Sequence, residues 1–276
     1  MNSFAPDCQI NLNRKQILTS LDIQLTGVSF SYGSGDKIVE VLREIDLEIP
    51  RGKLTTIVGP SGCGKSSLLK LMAGLLETES GKIWRDETRR RDGTSFVPQQ
   101  STLLPWRTAR QNACLGLEVR AEITQKTELD RQELEYVDSL LENWRLGGFE
   151  NAYPNELSGG MIQRVALIRS LATKPRLLFC DEPFSAIDFV TRLRLSNEFK
   201  NLCFEDQITT VLVTHNIEEA IFLGDQVVVL SGRPGQIVNV HFPKLRDGSN
   251  VVAARSSKEF GDQFSKIWKE LEDNQT

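Results

Sequence analysis

The sequence predicts an α/β fold: a parallel sheet as core, an antiparallel β layer flanking it and a helical subdomain beside it. Three observations carry this. Gly59 to Ser67 reads GPSGCGKSS and fits G-x-x-x-x-G-K-[ST], and it lies between the apolar run Leu54 to Val58 and a helical stripe at Leu68, Leu71, Met72 and Leu75. Two further short stretches, Pro175 to Pro183 and Ile208 to His215, read as buried strands. Leu21 to Gly33 and Val41 to Gly52 instead alternate apolar and polar residues, the pattern of strands with one face on a core.

Length and composition set the bounds. The 276 residues suffice for one large domain or one domain with a subdomain. A net charge of −4 without a basic block gives no reason to expect nucleic acid as the main partner, and Arg89 to Arg91 reads as a solvated loop. The cysteines are Cys8, Cys63, Cys114, Cys180 and Cys203, an odd, widely spaced set without CxxC, which points to free thiols in a reducing compartment. No apolar run approaches the ~20 residues of a membrane helix. The N-terminal stretch lacks a charged segment followed by an apolar one. The expectation is a cytoplasmic protein whose membrane part, if any, is supplied by another chain.

In chain order, residues 1–20 are polar and unpatterned and read as a flexible extension. The two alternating strands follow, with Pro50 and Gly52 turning the chain into Leu54 to Val58. GKIWRD and TSFVPQQ are two further short strands. From about 107 to 172 the chain reads as a helical subdomain, with Leu134, Val137, Leu141 and Trp144 on one face and a second helix opened by Ser158. A helix is expected over Phe189 to Leu202, and another over Asn216 to Leu223, capped by Asn216 with Glu219 three residues on. QVVVLSG and GQIVNVHF read as a strand pair about a Gly-Pro turn that closes the core near 245. The tail, 246–276, carries an amphipathic helix with Phe260, Phe264, Ile267, Trp268 and Leu271 on a face docked on the core.

Three stretches carry chemistry. In Gly59, Pro60, Ser61, Gly62, Cys63, Gly64, Lys65, Ser66 and Ser67, the glycines let backbone N–H groups turn inward and the new helix adds its positive end, which makes an anion cradle. Lys65 supplies a point charge for β- and γ-phosphates and Ser66 a hydroxyl for Mg²⁺. A thiol pKa tends to fall near a helix N-terminus, so Cys63 is a candidate reactive group whose oxidation blocks nucleotide binding, unless it is merely a small residue that fits the loop. The strand Leu177 to Cys180 delivers Asp181 and Glu182 to opposite sides of the chain: Asp181 suits Mg²⁺ binding through water, and Glu182 suits a general base acting on the water that attacks the γ-phosphate. Ser158, Gly159 and Gly160 open a helix in LSGGMIQR and form a second anion nest. One ATP is already gripped by the first nest, so the second calls for the ATP of a second copy.

The set GPSGCGKS, LSGGMIQR, LLFCDEP and Thr214-His215 resembles the ATP-binding subunit of ABC transporters over about residues 21–240. The resemblance implies a P-loop NTPase core of the ABC ATPase kind over 21–245, with ATP and Mg²⁺ as ligands. It implies that Tyr32 stacks on adenine, that Gln99 reaches Mg²⁺ and the attacking water and senses a membrane partner, that Ser185 to Asp188 crosses a dimer interface, and that His215 contacts the γ-phosphate and helps hold Glu182. Pro98 stands where the family commonly has Phe, so the strand must end there, and the neighbouring Gln100 leaves two glutamines to choose between. Ser67 for Thr and Ile187 for Leu remove no chemical group.

The resemblance implies two chains closing head to tail over two ATP molecules, with integral membrane permease subunits as further partners and an extracytoplasmic solute-binding protein acting indirectly. QSTLLPWRT is similar to the group that imports nitrate, sulfonate, taurine, bicarbonate or thiamine precursors. Leu103, Leu104 and Trp106 either line a groove for a permease helix or pack locally. The alternative is a soluble or exporter-type ABC ATPase. A repair-type member needs a coiled-coil insertion between the two nests, and the 93 residues separating Ser158 from Lys65 leave no room for one; a cluster-assembly or exporter ATPase stays open.

Overall fold

The computed structural model describes residues 20–33, 38–86, 93–100, 102–126, 128–244 and 254–274. The N-terminal extension up to residue 19 and the Arg89 to Arg91 cluster lie outside the described residues.

Two sheets form the body. Strands β1 (Leu21–Tyr32), β2 (Val39–Pro50) and β4 (Ser80–Arg85) make an antiparallel sheet in the order β2-β1-β4, and the alternation of β1 and β2 turns Ile23, Leu25 and Val28 with Ile45, Leu47 and Ile49 inward. Strands β3 (Leu54–Val58), β5 (Thr94–Val97), β6 (Leu177–Asp181), β7 (Thr209–Val213), β8 (Gln226–Leu230) and β9 (Ile237–His241) form the second sheet in the order β5-β6-β7-β3-β8-β9, parallel except for β9. Strands β3, β6, β7 and β8 are buried along their whole length, which is why they read as continuous runs rather than as alternations. β5 ends at Val97, one residue before the proline that cannot donate to the ladder.

The helices are α1 (Lys65–Ala73), α2 (Ala109–Ile123), α3 (Arg131–Asn143), α4 (Gly159–Leu171), α5 (Phe189–Glu205), α6 (Ile217–Leu223) and α7 (Lys258–Asp273). One apolar cluster lies between the two sheets and includes Leu68, Leu69, Leu71 and Met72 of α1. The other covers the opposite face of the parallel sheet and runs without a break from Leu178, Leu212 and Val227 into Val137, Leu141, Trp144 and Leu167. The helices between β5 and β6 therefore share their core with the sheet. Full capping boxes start α2 (Thr108 with Gln111) and α3 (Asp130 with Glu133).

Two sequence expectations need correction here. Asn216 caps α6 by accepting from the Glu219 N–H at 3.1 Å, but no capping box forms: the Asn216 N–H goes to Thr214 Oγ1 at 3.1 Å, and the Glu219 side chain turns into the protein. The tail helix docks through Phe260 and Ile267, with Phe264 and Leu271 partly buried beside them, whereas Trp268 is 55% exposed and stacks on Phe264, their ring centroids 6.0 Å apart. The sequence stripe is wider than the surface α7 has to cover. His241 of β9 meets Glu270 of α7 at 2.7 Å and fixes the helix against the sheet edge.

Candidate active site

Parallel pairing brings the C-terminal ends of neighbouring strands to one edge of the sheet, and the order β5-β6-β7-β3 makes Gln99, Asp181, Glu182, His215 and Gly59 neighbours there although the sequence scatters them. The loop after β3 turns at Gly62 (φ 78°) and Gly64 (φ 101°), conformations that side chains resist. A Cβ at Gly62 would meet nothing within 4 Å, so that stretch faces open space; one at Gly64 would collide with Val41 and Leu42. Gly64 is the N-cap of α1 and offers no side-chain acceptor, so donors of the first turn stay available to an anion. Ser61 and Gly62 form the exposed tip, while Lys65 is nearly buried and donates at 2.8 Å to the carbonyls of Gly59 and Pro60. Neither partner is a carboxylate. Ser67 lies under the Tyr32 hydroxyl at 3.3 Å, and the half-exposed Tyr32 ring stands edge-on to Phe30.

Ser66 Oγ is 3.0 Å from Asp181 Oδ1. Burial raises the Asp181 carboxyl pKa, the Ser66 hydroxyl opposes this, and the Glu182 charge adds to it. A buried carboxylate beside a hydroxyl and a second acid is a donor set that suits a hard divalent cation.

Glu182 leaves the strand with φ 50°, an uncommon value for a residue with a side chain, held by its N–H donating to Val213 O at 2.9 Å. Its Oε2 receives Gln99 Nε2 at 3.3 Å and lies 3.2 Å from His215 Nδ1. Asp181 and Glu182 thus diverge as expected, but the left-handed backbone, not strand alternation alone, aims the second acid. Gln99, rather than Gln100, is the glutamine that reaches this carboxylate. The Glu182 side chain is 17% exposed and His215 61% exposed, so the cluster opens outward on the histidine side.

The second nest lies at the start of α4. Ser158 caps α4 by accepting from Met161 N–H at 3.3 Å; Ser158 and Gly159 are exposed, and a Cβ on Gly159 would meet nothing within 4 Å. Asp188 caps α5 by accepting from Thr191 N–H at 3.0 Å, which holds its carboxyl below the ordinary carboxylate range.

Sequence reading missed Gln163 and Glu219. Gln163, nearly buried, donates to Glu182 O at 3.0 Å and Ser185 Oγ at 3.2 Å and accepts from Ala186 N–H at 2.9 Å. Glu219 has a buried oxygen with no hydrogen-bond partner among the described residues and lines a small pocket with Glu182, Ser185, Arg192 and His215. Neither role has a local signal; each depends on what α4 and α6 pack against.

Of the two readings of Cys63, the small residue that fits the loop is the one the structure supports, and the reactive thiol is not. The side chain is 1% exposed and burial pushes its thiol pKa up, more than Lys65 pulls it down. It fills the space in front of Gly59, where a Cβ would lie 2.8 Å from its Sγ. Native protein should therefore react with iodoacetamide at Cys63 at least about tenfold more slowly than guanidinium-unfolded protein, as peptide mass mapping would measure; equal rates would mean an open loop. Cys114, Cys180 and Cys203 are buried free thiols too.

Comparison with known proteins agrees with this geometry. A family profile described as ABC transporter matches residues 42–185. An aliphatic sulfonates import ATP-binding protein SsuB of Bacillus cereus is 34% identical over 255 residues, 91% of this chain and 96% of its own. An uncharacterized ABC transporter ATP-binding protein, YtlC of Bacillus subtilis, is 38% identical over 88% of this chain and 93% of its own. Among solved structures, the dimeric post-hydrolysis state of the ATP-binding cassette MJ0796 bound to ADP and Pi superposes with a TM-score of 0.71 at 31% identity, covering 80% of this chain and 98% of that one.

Proposed function

Because this chain belongs to the ABC transporter family and is an ATP-hydrolysing, ATP-binding subunit of it, we propose that it is the energy-coupling subunit of a membrane importer for a small anion of the sulfonate class. The observation that carries the importer reading is the alignment with SsuB proteins over more than nine-tenths of this chain and of theirs (91% and 96% for one, 93% and 96% for another), whose name states aliphatic sulfonate import. The loop after Gln99 supports it. Asn112 accepts from Leu104 N–H at 2.7 Å and donates to the carbonyls of Leu104, Arg107 and Thr108, and Arg169 donates to Thr102 O at 2.9 Å. That bracing holds a short turn from which Trp106 projects 70% exposed, while Leu103 packs on the core and Leu104 is half-buried. A rigid turn with a protruding indole fits a permease helix better than solvent. No described helix is long and apolar enough to cross a membrane. In this reading integral permease subunits carry the solute, and a solute-binding protein acts through them.

In this reading residues 21–245 are the ATPase body, the helices of 107–172 face the permease, and the tail braces the body from outside. Lys65 and the N–H groups of Gly62 to Ser66 hold the β- and γ-phosphates, and Tyr32 stacks on the adenine. Ser66, Asp181 and Gln99 are the residues that would hold Mg²⁺, which when bound offsets phosphate charge and fixes the phosphoryl oxygens. Glu182 takes up the proton of the attacking water, with Gln99 and His215 fixing its carboxylate from two sides. Ser158 to Gly160 meet the triphosphate of a second copy, with Asp188 in the loop along that contact.

The test is co-purification and growth. Detergent-solubilised membranes should yield this chain with integral partners, and a strain lacking it should fail to grow on an aliphatic sulfonate as sole sulfur source while growing on sulfate. Recovery of the chain wholly free of membranes, with normal sulfonate growth, would favour the soluble or exporter reading.

A further inference from the structure

Glu182 owes its unusual backbone to more than its own strand. Its carbonyl accepts from Gln163 Nε2 at 3.0 Å and from Ser185 Oγ at 3.0 Å; the same Gln163 nitrogen donates to Ser185 Oγ at 3.2 Å, and Gln163 Oε1 takes the Ala186 N–H at 2.9 Å. One nearly buried amide thus uses both ends on the turn that joins Glu182 to Asp188. A second contact ties the same two elements. A Cβ on Gly160 would lie 3.2 Å from Ala186 O and 3.7 Å from Ile187 Cα, so the nest at the start of α4 and the turn are packed to the limit of a missing side chain. The helix is itself immobilised further along: Arg164 donates to Gly160 O at 3.2 Å and to Trp144 O at 2.8 Å. α4 therefore carries Ser158 to Gly160 at its end and, one turn in, the amide that sets the Glu182 main chain.

We propose that Gln163 is a positioning residue that couples the two nucleotide sites of a dimer: it makes the Glu182 main chain follow α4, so that engagement of Ser158 to Gly160 by the partner's ATP aims this subunit's own Glu182. The proposal rests on the reading that Glu182 acts on the attacking water and that the second nest meets a second copy. Gln163 reaches Glu182 through its main-chain carbonyl and not through its carboxylate. A tight packed contact and three directed hydrogen bonds transmit displacement because a nearly buried amide bonded at both ends cannot shift without breaking those bonds.

The experiment compares Gln163→Glu, which keeps an acceptor for Ala186 N–H but loses both donations, with Gln163→Met, which keeps the length and loses all three bonds. ATPase kinetics, affinity for a non-hydrolysable ATP analogue and Tm are measured on full-length chains, with Glu182→Gln as the reference. Both variants should lower kcat about tenfold or more with KM and analogue affinity within about twofold of wild type. The loss of kcat should exceed what a matched fall in Tm elsewhere in the molecule produces. Near-normal kcat in either folded variant, while Glu182→Gln is inactive, overturns the coupling and leaves the Glu182 reading intact. Parallel loss of kcat, analogue affinity and Tm also overturns it, since that is a merely structural role. An active Glu182→Gln sinks the Glu182 reading and the proposal with it.

Discussion

Replacing Glu182 by Gln should abolish steady-state ATP hydrolysis, by about 10²- to 10⁴-fold as for loss of a general base, while leaving ATP binding in place. The argument is geometric. Gln99 and His215 both address the same Glu182 oxygen, at 3.3 and 3.2 Å, and the left-handed turn at Glu182 keeps the side chain there. The amide is isosteric, so the surrounding turn should persist, but it cannot take a proton from water. With both phosphate nests intact and hydrolysis stopped, the bound γ-phosphate should hold two chains together, and gel filtration with ATP and Mg²⁺ should show a dimer where ADP gives a monomer. A variant that stays monomeric with ATP would refute the two-nest scheme, and one that hydrolyses normally would remove Glu182 from the chemistry.

Lys65→Ala should fail earlier, at binding. Lys65 is 8% exposed, and its ammonium donates to the carbonyls of Gly59 and Pro60 at 2.8 Å with Cys63 Sγ 4.0 Å away, so backbone dipoles rather than a directly bonded carboxylate hold the charge among the described residues. The triphosphate supplies an anion. Charge-assisted hydrogen bonds are worth about 1.5–3 kcal/mol each, so loss of the ammonium should weaken ATP binding by roughly 10- to 150-fold, read as Kd by a fluorescent analogue. Adenosine affinity should change little, because the Tyr32 hydroxyl meets Ser67 whereas the ammonium meets Gly59 and Pro60. Unchanged ATP affinity would mean that Lys65 stays folded back on its own loop when nucleotide binds.

Much of this site is legible in the amino-acid order because its parts are local. A glycine turn between a strand and a helix, an acid pair at a strand end and a serine before two glycines each need only a few neighbouring residues. What was not legible is tertiary. Cys63 sits beside a helix start, as a low-pKa thiol would, yet it belongs to the apolar cluster between the two sheets, and burial wins. Asn216 and Glu219 have capping-box spacing, but the carboxyl turns inward, where it bonds Thr214 and feels the Arg192 charge. Trp268 shares the apolar stripe of α7 and still faces water, since α6 and β8 take up Phe260 and Ile267 fully and Phe264 and Leu271 in part, and leave the edge of the stripe uncovered. Gln163 looks like any polar residue in a helix; its importance comes from residues about twenty positions later.

The order of strands bears on how the molecule comes off the ribosome. β3 is made early, but its ladder partners begin with Leu54 against Thr210 and Thr55 against Gln226, more than 150 residues downstream. Such non-local pairing is slow to form, and a half-made chain exposes the apolar edges of β3 and α1 in the meantime. Truncated nascent chains ending before β7 should thus be protease-sensitive and unable to retain nucleotide, and the protein should depend on chaperone capture until nearly its whole length has been translated.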